Sequence, residues 1–213
     1  MRSSKKTFVL ITLFVLPVVV YIFFASGVYN FGKLPTLTEN VTDVNGIDDQ
    51  VNLSEKITIL GYLGGNIELK KANAFNLNQK IYKRFYEFKD LQFVMMVPKG
   101  TEDKVDVLKK ELGGLVDIKK WYFVFANETE IRTVFESLKT DLTLDEHLGT
   151  PYVFIIDKAR NLRGRNDDED VGTKYGFDAT SVADLHNKMV DDVKIILAEY
   201  RLALKKNNAD RDK

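Results

Sequence analysis

Four apolar runs constrain the fold of this chain more than any other feature. They are Ile57–Leu63 (ITILGYL), Leu91–Val97 (LQFVMMV), Trp121–Phe125 (WYFVF) and Pro151–Asp157 (PYVFIID). A strand with one wet face alternates apolar and polar residues, so strands without that alternation must be covered on both faces. Between the runs the apolar period becomes that of a helix. Phe75, Leu77, Ile81, Phe85 and Phe88 recur at mostly helical spacing. Val105, Leu108 and Leu112 form a second stripe, and Ile131, Val134, Phe135 and Leu138 a third. Strand and helix in alternation predict an α/β protein built on a mixed sheet with helices on both faces.

Local signals refine the plan. Val41–Val44, the Asn45-Gly46 turn and Val51–Leu53 predict a hairpin before the first buried strand. Gly64-Gly65-Asn66 punctuates that strand, and Pro98-Lys99-Gly100 stops the second. Thr101 is expected to cap a helix with Glu102 and Asp103 in its first turn. Asn127 with Glu130 three residues on predicts a capping box. Lys158–Asn161 should turn into a short return strand at Leu162–Arg165. Asn166–Gly176 reads as a polar loop. Ser181 then opens a final helix with Val182, Leu185, Met189, Val193, Ile196 and Tyr200 on one face.

The N-terminus is of a different kind. Phe8–Phe24 carries one polar side chain, Thr12, and extended to Val28 it gives about 30 Å of helix, the thickness of a bilayer core. Arg2, Lys5 and Lys6 precede it and the next basic residue is Lys33. The positive-inside rule then keeps the N-terminus in the cytoplasm and exports the rest. A cleaved signal peptide ending near Ala25-Ser26-Gly27 is the alternative. The expected organisation is an anchor at 1–29, a linker at 30–37, a globular domain at 38–204 and a charged tail at 205–213.

Composition narrows function. The 213 residues have a formal net charge of +0, which argues against a nucleic-acid binder. They contain no cysteine. That excludes disulfides, Cys-ligated zinc, iron–sulfur clusters and lipidation at a cysteine within these residues.

Taken in order, these residues resemble a known family. The Val41-x-Asp43-x-x-Gly46 segment, the strand ending in Val97-Pro98, Trp121-Tyr122-Phe123, the Phe154–Asp157 strand (FIID) and Arg163-Gly164-Arg165 resemble the redoxin branch of the thioredoxin fold. Within it they are most similar to the Sco/SenC group of membrane-anchored proteins. The resemblance implies a thioredoxin-like sheet behind one N-terminal transmembrane helix, held in a bacterial inner membrane with the domain on the periplasmic side. Sco-type proteins deliver copper to cytochrome c oxidase or reduce its copper-site thiols, using a C-x-x-x-C motif and a distant His. Here the motif region is Gly64-Gly65-Asn66-Ile67-Glu68-Leu69-Lys70, both cysteine positions are lost, and the family His corresponds to His147. The resemblance also implies a cis Thr150–Pro151 bond facing that region.

The expectation is therefore a non-catalytic protein without a cofactor. It would bind a protein partner in respiratory-complex or envelope-protein assembly through a residual groove of Gly64, Gly65, Asn66, Glu68, Lys70, His147, Thr150 and Pro151. Two other readings stand beside it: a copper chaperone using His147 with Asp145 and Glu146, since Cu(II) accepts N and O donors, and a structural envelope domain. His186 is expected at the surface. The run Asp167–Asp170 is expected to be a solvated acidic loop, with Arg160, Arg163 and Arg165 as counter-charges, rather than a Ca²⁺ site.

Overall fold

The computed structural model describes residues 2–25 and 33–209. Two units result, Met1–Gly32 and Lys33–Lys213. The first contains α1 (Arg2–Ala25), with Pro17 inside it. Its apolar side chains from Phe8 to Ile22 are exposed. Among the described residues no helix is long and apolar enough to cross a membrane. Val28 and the Ser26-Gly27 part of the alternative cleavage site lie outside the described residues.

The second unit begins with β1 (Thr36–Thr38), followed by a long loop and β2 (Ile57–Leu63). Then come α2 (Ile67–Leu77), a π-helical turn at Asn78–Tyr82 and α3 (Lys83–Phe85). The order continues with β3 (Leu91–Pro98), α4 (Glu102–Gly113), β4 (Trp121–Ala126), α5 (Glu128–Glu136) and β5 (Gly149–Ile156). Four short strands follow: β6 (Leu162–Arg163), β7 (Arg165–Asp168), β8 (Gly172–Lys174) and β9 (Phe177–Asp178). The chain closes with α6 (Val182–Asp184), a second π-helical turn at Leu185–Met189 and α7 (Val190–Ala209), which runs into the segment expected to be a tail.

The main sheet runs β1-β6-β5-β2-β3-β4, with β9 also on β5. β2, β3 and β4 are parallel, while β5 and β6 return antiparallel. Three parallel strands joined by crossover helices, followed by an antiparallel pair and a last helix, form the thioredoxin-like arrangement.

Burial explains why the strands lack alternation. In β3, Leu91, Phe93, Met95 and Val97 enter one core with α2, α4 and α7. Val94 and Met96 enter a second core with α5 and the loop before β2. β5 divides the same way, Val153 and Ile155 against Phe154 and Ile156. Each period-2 face meets an apolar layer, so both are largely apolar, and the buried Gln92 is satisfied by the Asn52 carbonyl and the Thr58 hydroxyl.

The structure departs from the sequence reading in several places. The hairpin expected at Val41–Leu53 is a loop without strands. The Asp43 carboxylate accepts the N–H groups of Val44 and Leu53, each at 2.8 Å, and the Ser54 hydroxyl at 3.0 Å. Those side-chain bonds replace a ladder, while Val41, Val44, Val51 and Leu53 are still buried. Part of the expected linker is structural, because Leu34 is buried and Thr36 and Leu37 belong to β1. Thr101 stands at the helix start without capping it. Its hydroxyl donates to the Pro98 carbonyl at 2.7 Å. The boxes at Asn127/Glu130 and the Ser181 cap form as expected.

The segment 166–176 is a hairpin, β7 on β8, rather than a loop. Asp168, in the expected solvated acidic run, is buried and takes Lys188 at 2.7 Å on both oxygens. Arg165 binds Asp192 of α7 through Nε at 2.9 Å and Nη2 at 2.7 Å. Burial pushes the Asp192 carboxyl up, while the Arg165 guanidinium pulls it back. Arg163 is the deepest of these cations. It donates to the Leu34 carbonyl at 2.8 Å, to Asp157 at 3.0 Å and to Glu199 at 2.8 Å. Chain entry, the β5–β6 turn and the final helix thus meet on one guanidinium.

Removing that cation leaves Asp157, which is 2% exposed, as a buried carboxylate without its Arg163 counter-charge, held by the Ala159 and Asn161 N–H groups. Arg163→Met is expected to cost about 3–5 kcal/mol, read by urea unfolding through Trp121 fluorescence. A loss below about 1 kcal/mol, the range of surface pairs, would contradict this.

Candidate functional site

The junction of β2 and α2 is built from glycines because another backbone lies against it. Gly64 has φ of +68°, a region that favours glycine. A Cβ there would sit 2.6 Å from the His147 carbonyl oxygen and 2.7 Å from the Gly149 nitrogen. The next residue, Gly65, donates its N–H to that His147 carbonyl at 2.8 Å. So the loop 145–149 and the β2–α2 junction touch backbone to backbone.

Pro151 positions that loop. It has no N–H and sits in a strand paired on both sides. The β2–β5 register runs from Gly61 opposite Val153 to Leu63 opposite Gly149, two steps on one strand against four on the other. The bulge holds Thr150, Pro151 and Tyr152, and its outer side is taken by β9, with Ala179 N–H on the Pro151 carbonyl at 2.9 Å. The Thr150–Pro151 bond is trans, since no described peptide bond is cis. The family expectation of a cis bond is corrected here: the bulge, not the isomer, turns the chain.

Asp145 closes the loop. It accepts the His147 N–H at 3.0 Å and the Gly149 N–H at 2.8 Å, and pairs with Lys70 of α2 at 3.1 Å. Partial burial pushes its carboxyl up, but the Gly149 N–H and the Lys70 ammonium outweigh that and hold it below the usual carboxylate range. The structure therefore brings together Gly64, Gly65, Lys70, Asp145, His147 and Thr150. Thr150 is buried and Pro151 half-buried. Asn66 stands at the start of α2 with no side-chain cap bond, and Glu68 is exposed. Two neighbours went unnoticed in the sequence. Lys104 of α4 reaches the Gly65 carbonyl at 3.4 Å, and Leu69 is 73% exposed. A long-range lysine contact leaves no local signal, but an apolar residue one turn into a lysine-rich helix does.

The His147 ring is half-exposed with Glu146 at 3.6 Å, and Asp145 is committed to Lys70 and two backbone N–H groups. Among the described residues no three His, Cys, Asp or Glu side chains group as metal ligands. His186 is exposed in the π-helical turn before α7. No thiol is present, and the titratable groups at the junction are Lys70, Asp145 and His147.

No family model matches the chain, and no curated protein matches it. Among solved structures it is similar to a thiol:disulfide interchange protein of the thioredoxin family from Chlorobium tepidum TLS. Identity is 18%, over 78% of this chain and 99% of that one, with a TM-score of 0.47. It is also similar to BsSco, a member of the Sco family of cytochrome c oxidase assembly proteins, at 15% identity over 78% and 97% of the two chains, TM-score 0.47. The soluble domain of Sco1 from Bacillus subtilis is 14% identical over 78% and 97%, TM-score 0.44.

Two measurements check this geometry. Gly64→Ala should destabilise the fold by about 1–3 kcal/mol through strain and overpacking. Gly65→Ala, whose Cβ would meet nothing closer than 3.9 Å, should stay within about 0.5 kcal/mol. Equal effects would refute the backbone contact. For Asp145 the folded pKa is lowered, so its stabilisation is present above the ordinary value of about 3.9 and is lost as pH falls through the lowered one. The Gly149 amide shift should titrate with a midpoint below about 3.9; a midpoint at or above it would contradict the pairing.

Proposed function

We propose that this chain is a membrane-tethered binding module on a thioredoxin-like frame, an accessory factor in respiratory-complex or envelope-protein assembly that performs no thiol chemistry. One observation carries the reading: the β2–α2 junction, free of thiols, is closed by the Gly65–His147 hydrogen bond and the Lys70–Asp145 ion pair. A loop clamped in this way offers a fixed surface and no reactive group. Leu69, Glu68 and the His147 ring project from it and form the docking face.

The tether is the Phe8–Val28 run behind Arg2, Lys5 and Lys6, which matches a spanning length and the charge bias of an N-in orientation. In this reading the domain lies on the periplasmic side of a bacterial inner membrane. The Sco-like order of sequence features supplies the narrower direction, toward oxidase assembly.

Crosslinking of the full-length protein in its native membrane, followed by capture and mass spectrometry, tests this. Oxidase or other respiratory assembly subunits should be enriched with the unmodified chain and lost with Leu69→Asp. Enrichment indifferent to Leu69→Asp, disulfide turnover by the purified chain, or stoichiometric bound copper would each refute the reading.

A further inference from the structure

The end of the sheet opposite the β2–α2 junction gathers lysines. β2, β3 and β4 are parallel, so Lys56, Asp90 and Lys120, which precede them, lie at one end. β5 runs the other way, with Ile156 opposite Thr58, and brings Lys158 to the same end. A cavity of about 310 Å³ opens there, walled by Phe88, Leu197 and Tyr200 and rimmed by Asp90, Lys158 and Arg201. Some of the charges are already satisfied. Lys158 pairs with Asp90, Lys119 with Asp117, and Lys120 donates to the Phe88 carbonyl. Lys56, Lys89 and Arg201 pair with no carboxylate among the described residues. The Lys158 hydrogen bond, with Lys56 and Lys89 close by, holds the Asp90 carboxyl below the usual range. The cations Lys56, Lys89, Lys120, Lys158 and Arg201 thus outnumber the carboxylates Glu55, Glu87 and Asp90 on this face. Among them stand two apolar side chains, Phe88 and Leu202, each 38% exposed.

The point of chain entry selects the occupant. The Leu34 carbonyl, Asp157 and Glu199 share the Arg163 guanidinium, and Lys158 and Tyr200 follow the last two in sequence. The domain therefore begins beside this cavity. From Val28, where the apolar run ends, to Leu34 is at most about 20 Å of extended chain. A tether that short keeps the adjoining face near the headgroups. Basic side chains there are drawn to anionic lipid, and exposed apolar ones gain by entering the interface. A soluble anion would answer the cations and leave Phe88 and Leu202 in water.

We propose that this end of the domain rests on the bilayer surface, with Lys56, Lys89 and Arg201 on anionic lipid headgroups and Phe88 and Leu202 in the interface. The proposal rests on the tether reading above and deepens it. The β2–α2 junction, at the other end of the parallel strands, then faces away from the membrane.

The chain has no cysteine, so one can be introduced to carry a fluorophore. Ala159→Cys labels the β5–β6 turn at this end, and Glu146→Cys labels the junction. The full-length protein is placed in phosphatidylcholine vesicles containing phosphatidylglycerol and a headgroup-borne quencher. Circular dichroism verifies that each variant is folded. The label at 159 should be quenched several-fold more than the label at 146. Lys89→Glu combined with Arg201→Glu, or omission of phosphatidylglycerol, should bring the two labels to the same level. Equal quenching in the unmodified background, stronger quenching at 146, or indifference to both the charge reversal and the lipid overturns the proposal. Carbonate extraction reads the tether separately. A chain released by carbonate refutes the tether and this inference with it, whereas a retained chain with equally quenched labels refutes this inference alone.

Discussion

The candidate site depends on a proline that cannot donate a hydrogen bond. Pro151 stands in β5, a strand with neighbours on both sides, where a missing N–H would leave a gap in the ladder. The sheet resolves this with the bulge at Thr150–Tyr152 and gives the outer carbonyl to Ala179. The same bulge returns Gly149 to Leu63 and sets the 145–149 loop against Gly64. From that contact follow the left-handed glycine, the Gly65–His147 bond and the Lys70–Asp145 pair. A local backbone constraint thus decides what the end of the sheet presents.

Away from that end, charge organises the return half of the domain. Arg163, Arg165 and Lys174 reach from the β6–β8 region to Glu199, Asp192 and Asp184, and Lys188 reaches back from the π-helical turn before α7 to Asp168. Buried pairs of this sort stabilise little compared with apolar packing, but leaving one partner alone is costly. They tie the final helix and the turns before it to the β6–β8 region. The parallel half, β2 to β4, is held by apolar packing on both faces instead.

The contrast explains what was legible in the sequence. Ile57–Leu63, Leu91–Val97 and Trp121–Phe125 read correctly as buried strands because burial on two faces leaves an unbroken apolar run. The Asn127 box and the Ser181 cap were legible because capping is local. The loop at Val41–Leu53 was not, since its apolar residues and Asn45-Gly46 turn mimic a hairpin while Asp43 bonds ten residues ahead. β7 and β8 were hidden because their residues are polar and their partners, Lys188 and Asp192, lie 20 and 27 residues on, in the second π-helical turn and α7. Of the site, Gly64, Gly65, Lys70, His147 and Thr150 were picked out through the family resemblance. The reason they meet, a bulge over a trans proline, has no signature in neighbouring residues.

The central claim is that the β2–α2 junction is a closed backbone contact rather than an open reactive cleft. Amide hydrogen exchange at Gly65 tests it most directly, because that N–H has the His147 carbonyl as its partner and lies at a helix start, where amides otherwise face solvent. The account predicts protection at Gly65 and Gly149 comparable with the neighbouring strand ends and lost together in Gly64→Ala. Exchange at Gly65 as fast as in an unstructured loop would contradict it.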